Sequence, residues 1–156
     1  GRYYTESILT TDKEWTDDDF YRIGRLQQAY EGEMAKRSDG VIICDTNAVA
    51  TELWQRRYMG RTTAEMQRIA ARDKADLYII TGDEIPFVQD GIRDGEHIRH
   101  RMHKWFITHI KKTGVPYLVV TGTPEERLAE AYAAAKRMIR AKRSLNNVAN
   151  TTTFFT

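Results

Sequence analysis

A chain of 156 residues with 41% hydrophobic and 29% charged residues is long enough to bury one core and has the make-up of an ordinary globular domain. Its formal net charge of +2 is too small to point to nucleic acid or an acidic membrane, and its short apolar runs cannot span a bilayer. The polar, aromatic opening "GRYYTES" predicts no secretory leader, and a single cysteine, Cys44, excludes an internal disulfide, which together predict a cytoplasmic setting.

In chain order, "WTDDDFYRIGRLQQAYEGEMAKRS" carries Phe20, Ile23, Leu26, Tyr30 and Met34 at near-helical spacing. Thr16 with Asp19 three residues on predicts a capped start, with acids where the helix dipole favours them. After the turn at "SDG", residues 41–45, "VIICD", predict a buried strand that delivers polar groups at its carboxyl end, with Cys44 packed as a small core residue. "NAVATELWQRRY" predicts a helix ending near Gly60, and "TTAEMQRIAARDK" a short one after it. "ADLYIITGD" predicts a second buried strand, "GEHIRHRMHKWFITHIKKTG" a basic amphipathic helix closed by Gly114, and "VPYLVVTG" a third strand. In "TPEERLAEAYAAAKRMIRAKR", Thr123 is the cap, Pro124 takes the first position and Glu126 completes a capping box. Leu128, Ala131, Tyr132, Ala135, Met138 and Ile139 form one expected face. The polar, then aromatic "SLNNVANTTTFFT" predicts a loosely ordered tail over residues 143–156, after an ordered domain over residues 1–142.

Three short strands separated by helices predict an α/β domain, a parallel sheet with flanking helices. Ligands of such sheets bind beyond the carboxyl ends of the strands, here Asp45-Thr46, Thr81-Gly82-Asp83 and Thr121-Gly122. Asp45 either caps the following helix or serves as a magnesium or substrate carboxylate. In residues 84–106, Gly91 and Gly95 flank Arg93 and Asp94, and a basic helix follows with Arg99 and Arg101. Arginine forks suit phosphate, although a solvated basic face is the simpler reading. His97, His100, His103 and His109 lack a spaced carboxylate or cysteine partner and read as surface residues. Trp54 and Tyr58, four apart, either stack a flat ring or form a core stripe, and Tyr3 and Tyr4 pose the same choice. The basic helix lacks interleaved exposed aromatics, which argues against a nucleic-acid surface.

The order of these pieces resembles the ribosylnicotinamide kinase domain of NadR-type NAD-biosynthesis proteins. The resemblance runs from residue 1 to about residue 140, through "GRYYTE", "DDFYRIGRLQQAYE", "VIICDTNAVAT" with "YMG" after it, "IPFVQDGIRDGEHIR" and "VPYLVVTGTPEERLAEA". Its most specific element is the aromatic-then-DGIR segment. The resemblance implies a P-loop NTPase-like kinase fold that uses ATP and Mg2+ to phosphorylate the ribose 5′-hydroxyl of nicotinamide riboside. It implies that Asp45 serves magnesium or the ribose, that Thr46 and Asn47 lie at the site mouth, and that the catalytic lid carries Arg93 and Arg99. It further implies Phe87 and Asp90 beside the riboside, and Gly122 and Arg127 near the adenine end. The family usually reads Asp-Thr-Asp at positions 45–47, so Asn47 removes one carboxylate.

No G-x-x-x-x-G-K-[ST] phosphate loop occurs in the 156 residues. In the family it lies upstream of "GRYY", on the first strand and helix. The expectation is therefore a fold missing its first strands and inactive alone, completed by an upstream segment or another chain. A gap lined with unpaired backbone and bare apolar side chains should mark the place. The alternatives are a kinase of another nucleoside or small alcohol, or a non-catalytic nucleotide-binding or assembly module.

Overall fold

The computed structural model describes residues 14–73, 75–86 and 96–151. They group into two units, one built from residues 14–73 and 96–106 and the other from residues 75–86 and 107–151.

In the first unit, helix α1 (Asp17–Arg37) starts where Thr16, in extended backbone, opens a reciprocal capping box. The Asp19 amide donates to Thr16 Oγ1 at 3.3 Å and the Thr16 amide to Asp19 Oδ2 at 2.9 Å, satisfying two orphan donors. Asp17–Asp19 in the first turn and Lys36 and Arg37 in the last complement the helix dipole. Helix α2 (Ala48–Met59) ends at Gly60, whose φ of 70° is the left-handed stop that glycine adopts without strain. Helix α3 (Ala64–Ala70) is capped by Thr63, which accepts from the Met66 amide at 3.2 Å.

The core of this unit is Phe20, Ala48, Met66 and Ile69, with Trp15, Trp54, Tyr58 and Met59 packed around it. Helices α1 and α3 approach closely at Gly24, where an added Cβ would stand 2.8 Å from the Met66 methyl. One polar side chain sits at the centre. Gln55 is fully buried, and its amide donates to Asp17 Oδ1 at 2.9 Å while its carbonyl accepts from the Thr63 amide at 3.0 Å. It ties the first turn of α1 to the cap of α3.

Residues 41–45 correct the expectation of a buried strand. They form no regular element, Val41 and Ile42 are exposed, and Ile43 is 96% exposed. Cys44 is exposed as well, not a core residue. A β-rich run becomes a strand only when a neighbour completes its hydrogen-bond ladder, and among the described residues none pairs with it.

In the second unit, β1 (Tyr78–Thr81) and β2 (Tyr117–Val120) pair in parallel, in register from Tyr78↔Tyr117 to Thr81↔Val120. The Gly82 amide extends the ladder to the Val120 carbonyl at 2.8 Å. A 3-10 turn (Glu96–Ile98) of the first unit leads into α4 (Arg99–Thr113), whose residues from Ile107 on belong to the second unit and which ends before Gly114 at φ 73°. Helix α5 (Pro124–Thr151) packs on β2, with Ala134 and Val120 buried. Its capping box is formed as expected: the Thr123 amide donates to Glu126 Oε2 at 2.7 Å and the Glu126 amide to Thr123 Oγ1 at 3.2 Å. The helix continues through Thr151, past residue 142, and Leu128 and Tyr132 of its expected apolar face are exposed.

The described residues are thus mostly helical, with a parallel sheet of two strands rather than three. No helix among them is long and apolar enough to cross a membrane.

Candidate functional site

Asp45 precedes α2 closely enough to be a candidate cap, but Asn47, directly before Ala48, has that task. Its Oδ1 accepts from the Ala50 amide at 3.1 Å, and its carbonyl accepts from the Thr51 amide at 3.0 Å and the Thr51 hydroxyl at 3.2 Å. Asp45 is exposed, and no hydrogen bond or ion pair reaches it among the described residues. Between them, Thr46 has φ 68°, the sole non-glycine residue with positive φ among those described. For a β-branched side chain that conformation is a genuine outlier. Its hydroxyl accepts from Gln27 Nε2 at 3.4 Å. Strain of this kind gathers where a binding or catalytic group has to be held in place.

Residues 41–46 and the facing side of α1 enclose an open groove of about 710 Å³. Ile23, Leu26, Tyr30 and Met34 make its apolar wall, and Gln27, Glu31, Cys44, Asp45 and Thr46 are its polar lining. Burial, then the neighbouring Asp73 charge, raises the Glu31 carboxyl above its ordinary range, against hydrogen bonds from Cys44 and Gln27 that lower it. Glu31 Oε1 is buried without a hydrogen-bond partner. Although Cys44 is exposed, partial desolvation against the groove wall, and then the adjacent Glu31, pushes its thiol up, so it is held as the neutral thiol. Sequence reasoning missed Gln27 and Glu31. The available signal was their four-residue spacing, which sets both on the helical face of Ile23, Tyr30 and Met34.

The other candidates divide. Phe87, Asp90 and Arg93 lie outside the described residues. Arg99 opens α4 in the first unit, half-buried and with bonded partners. In the second unit Gly122, at φ 88°, follows β2, and its amide donates to Glu84 Oε1 at 3.1 Å. The Arg127 guanidinium donates to the Gly122 carbonyl, so this arginine holds its own turn closed. The structure therefore groups Asp45, Thr46 and Asn47 in one unit and Gly122 and Arg127 in the other. Trp54 and Tyr58 stack on each other at 6.1 Å, and Tyr58 stacks on Trp15 at 5.4 Å, which makes them a core stripe.

A family model for the AAA domain matches residues 1–127, a span that includes every one of these candidates. The chain belongs to the AAA domain family. No curated protein and no solved structure matches it. AAA membership supports a P-loop NTPase-like, nucleotide-binding domain, in a family that includes kinases and NTPases and generally binds ATP with Mg2+. It does not reach as far as nicotinamide riboside. Among the described residues of this AAA domain no three His, Cys, Asp or Glu side chains converge on a metal position. Mg2+ keeps several waters and takes one or two carboxylates together with substrate phosphates, so a lone exposed Asp45 fits one of its ligand positions.

Proposed function

We propose that this AAA domain is part of an ATP-dependent kinase that phosphorylates the ribose 5′-hydroxyl of nicotinamide riboside to give nicotinamide mononucleotide. The observation that carries the proposal is Asp45. The cap has passed to Asn47, and strained backbone at Thr46 holds the acid free at the polar end of a groove. The choice of acceptor rests on the resemblance of "IPFVQDGIRDGEHIR" to the ribosylnicotinamide kinase segment.

In the transfer the 5′-oxygen bonds to the γ-phosphorus as the bond from that phosphorus to the β,γ-bridging oxygen breaks, and ADP departs. Asp45 accepts the hydrogen bond of the attacking hydroxyl, orients its oxygen and takes its proton as the bond to phosphorus forms, releasing it to solvent afterwards. Asp45 would contribute one ligand to Mg2+, whose charge would offset that of the phosphates. Arg93 and Arg99 supply planar donors to the moving phosphoryl group.

These residues contain no phosphate loop, so the cradle for the β- and γ-phosphates comes from an upstream segment or from a second chain. The bare side chains of Val41, Ile42 and Ile43 are where the strand bearing it would pair. The test compares this chain with a version extended upstream through a phosphate loop, each given ATP-magnesium and nicotinamide riboside. Turnover in the extended form alone is expected. A folded, ATP-binding extended form that leaves nicotinamide riboside untouched would move the proposal to another nucleoside or small alcohol. Turnover by the short chain would mean that the phosphates sit elsewhere.

A further inference from the structure

Helix α5 has two apolar faces, and the sheet takes one. Ala134, Met138 and Ala141 line a pocket with Leu118 of β2. On another side Leu128, Tyr132, Ala135 and Ile139 recur at intervals of four, three and four, which makes a stripe along the helix. Leu128 is 70% exposed, and Tyr132 is 62% exposed even with Lys136 Nζ 5.0 Å from its ring. Ala135 and Ile139 are half-buried. A helix that had only to cover β2 would carry polar residues along this side.

The charges of α5 are segregated as well. Glu125, Glu126 and Glu130 occupy its first two turns, and five bases from Lys136 to Arg143 follow Ala135. Arg127, the one base among the acids, holds its own turn closed at the Gly122 carbonyl. The helix dipole accounts for acids in the first turn but not for the bases. It acts within a turn of the helix end, and the last turn of α5 holds no basic residue. Glu126 with Glu130, and Lys136 with Arg140, are like charges four residues apart, which is mildly unfavourable within one helix.

A second copy of the same helix, laid antiparallel, makes use of both features. With Leu128 opposite the second copy's Ile139, Tyr132 falls opposite the second copy's Ala135, large against small. The same register brings Glu125 level with the second copy's Lys142 and Arg143. Lys142 pairs with Asp76 of its own chain, which leaves Arg143 for Glu125. Both Glu125 and Arg143 are exposed, and neither has an ion partner among the described residues. Arg143 comes five full turns after Glu125, so the two lie on the same side of the stripe. A two-fold axis across the stripe keeps that side common to both copies, and each contact is made twice. Exposed ion pairs add little affinity, so the stripe supplies the attraction and the charges set the direction.

We infer that two copies of this chain associate through α5, antiparallel, along the stripe from Leu128 to Ile139.

The test is sedimentation velocity of the full chain from micromolar to near-millimolar concentration. A reversible rise in mass towards twice 18.1 kDa is expected. Leu128→Ser combined with Tyr132→Ser, on exposed side chains, should weaken association by about tenfold or more, because each loss counts twice in the pair. Glu125→Lys alone, or Arg143→Glu alone, should weaken it by about threefold, and the two together should restore the parental affinity. These residues stand about 27 Å apart along one helix, so recovery reads a contact between copies. A cost confined to the first turn of α5 would not recover. A chain that stays monomeric at every concentration overturns the inference. Association that survives loss of the stripe but not Ile43→Ser would place the contact at residues 41–43 and overturn it too. Association without recovery in the charge-swapped double variant would overturn the antiparallel register.

Discussion

Replacing Thr46 with glycine should make the domain more stable and, if the proposed function holds, slow phosphoryl transfer by the completed protein. A β-branched residue held at φ 68° stores about 1–3 kcal/mol. Glycine releases that strain but adds roughly 0.4–1 kcal/mol of unfolded-state freedom. The hydroxyl that accepts from Gln27 at 3.4 Å is exposed, and its loss costs at most about 0.5 kcal/mol. The balance is a gain of about 1 kcal/mol. Urea unfolding followed by tryptophan emission reads it directly, since Trp15 and Trp54 pack around the core of the same unit. Thr46→Ala serves as the control, because it removes the hydroxyl but keeps the Cβ and therefore most of the strain. A loss of about 1 kcal/mol for Thr46→Gly at an unchanged denaturant slope would refute the reasoning. It would show a relaxed threonine held by its side chain and would take away the structural mark of a functional turn.

Asn47→Ala should cost about 0.5–2 kcal/mol in chemical denaturation, whereas Asn47→Asp keeps the cap and should stay within about 0.5 kcal/mol of the parent. Under the proposed function, Asn47→Asp should also lower the Mg2+ concentration needed for half-maximal turnover by the completed protein, by adding a second carboxylate near Asp45. Gln55→Leu strips partners from the half-buried Thr63 amide and from Asp17, and should cost about 1–3 kcal/mol in the same denaturation assay. Glu31 has a raised folded-state pKa, so its contribution is full below the unfolded value and is lost as pH climbs through the folded one. Glu31→Gln should therefore unfold like the parent in acid and become progressively more stable than it as pH rises through and above the ordinary carboxylate range, which thermal melts across pH will show. Cys44, held as a thiol beside Glu31, should be alkylated by iodoacetamide at neutral pH more slowly than free cysteine, despite its exposure.

What could be read in the sequence was what lies close along the chain. The capping boxes of Thr16 with Asp19 and of Thr123 with Glu126, and the stops at Gly60 and Gly114, depend on groups three or four residues apart, and each forms as expected. What could not be read depends on distant partners. "VIICD" has the composition of a strand, yet the ladder that would make it one has to come from another segment. Gln55 looked like a polar position in an amphipathic helix, and only the fold brings Asp17 and Thr63, from two other elements, to satisfy it. The pairing of Arg56 with Trp105 crosses from one helix to another and leaves no periodic trace.

The same distinction decides how Asp45 should be understood. Local rules allow either Asp45 or Asn47 to cap α2, since both side chains favour that position. The structure selects Asn47, and the selection has a cost, because it leaves Thr46 in the left-handed region and Asp45 in solvent. Had capping been the only demand, placing Gly at position 46 would have removed the strain while leaving the Asn47 cap intact. Keeping a threonine there holds a carboxylate, a hydroxyl and an amide in consecutive positions at one end of the groove. A turn strained by its own side chain, next to an acid without a structural task, is more than a helix cap alone needs, and it is this surplus that the proposed phosphoryl-transfer role of Asp45 would use.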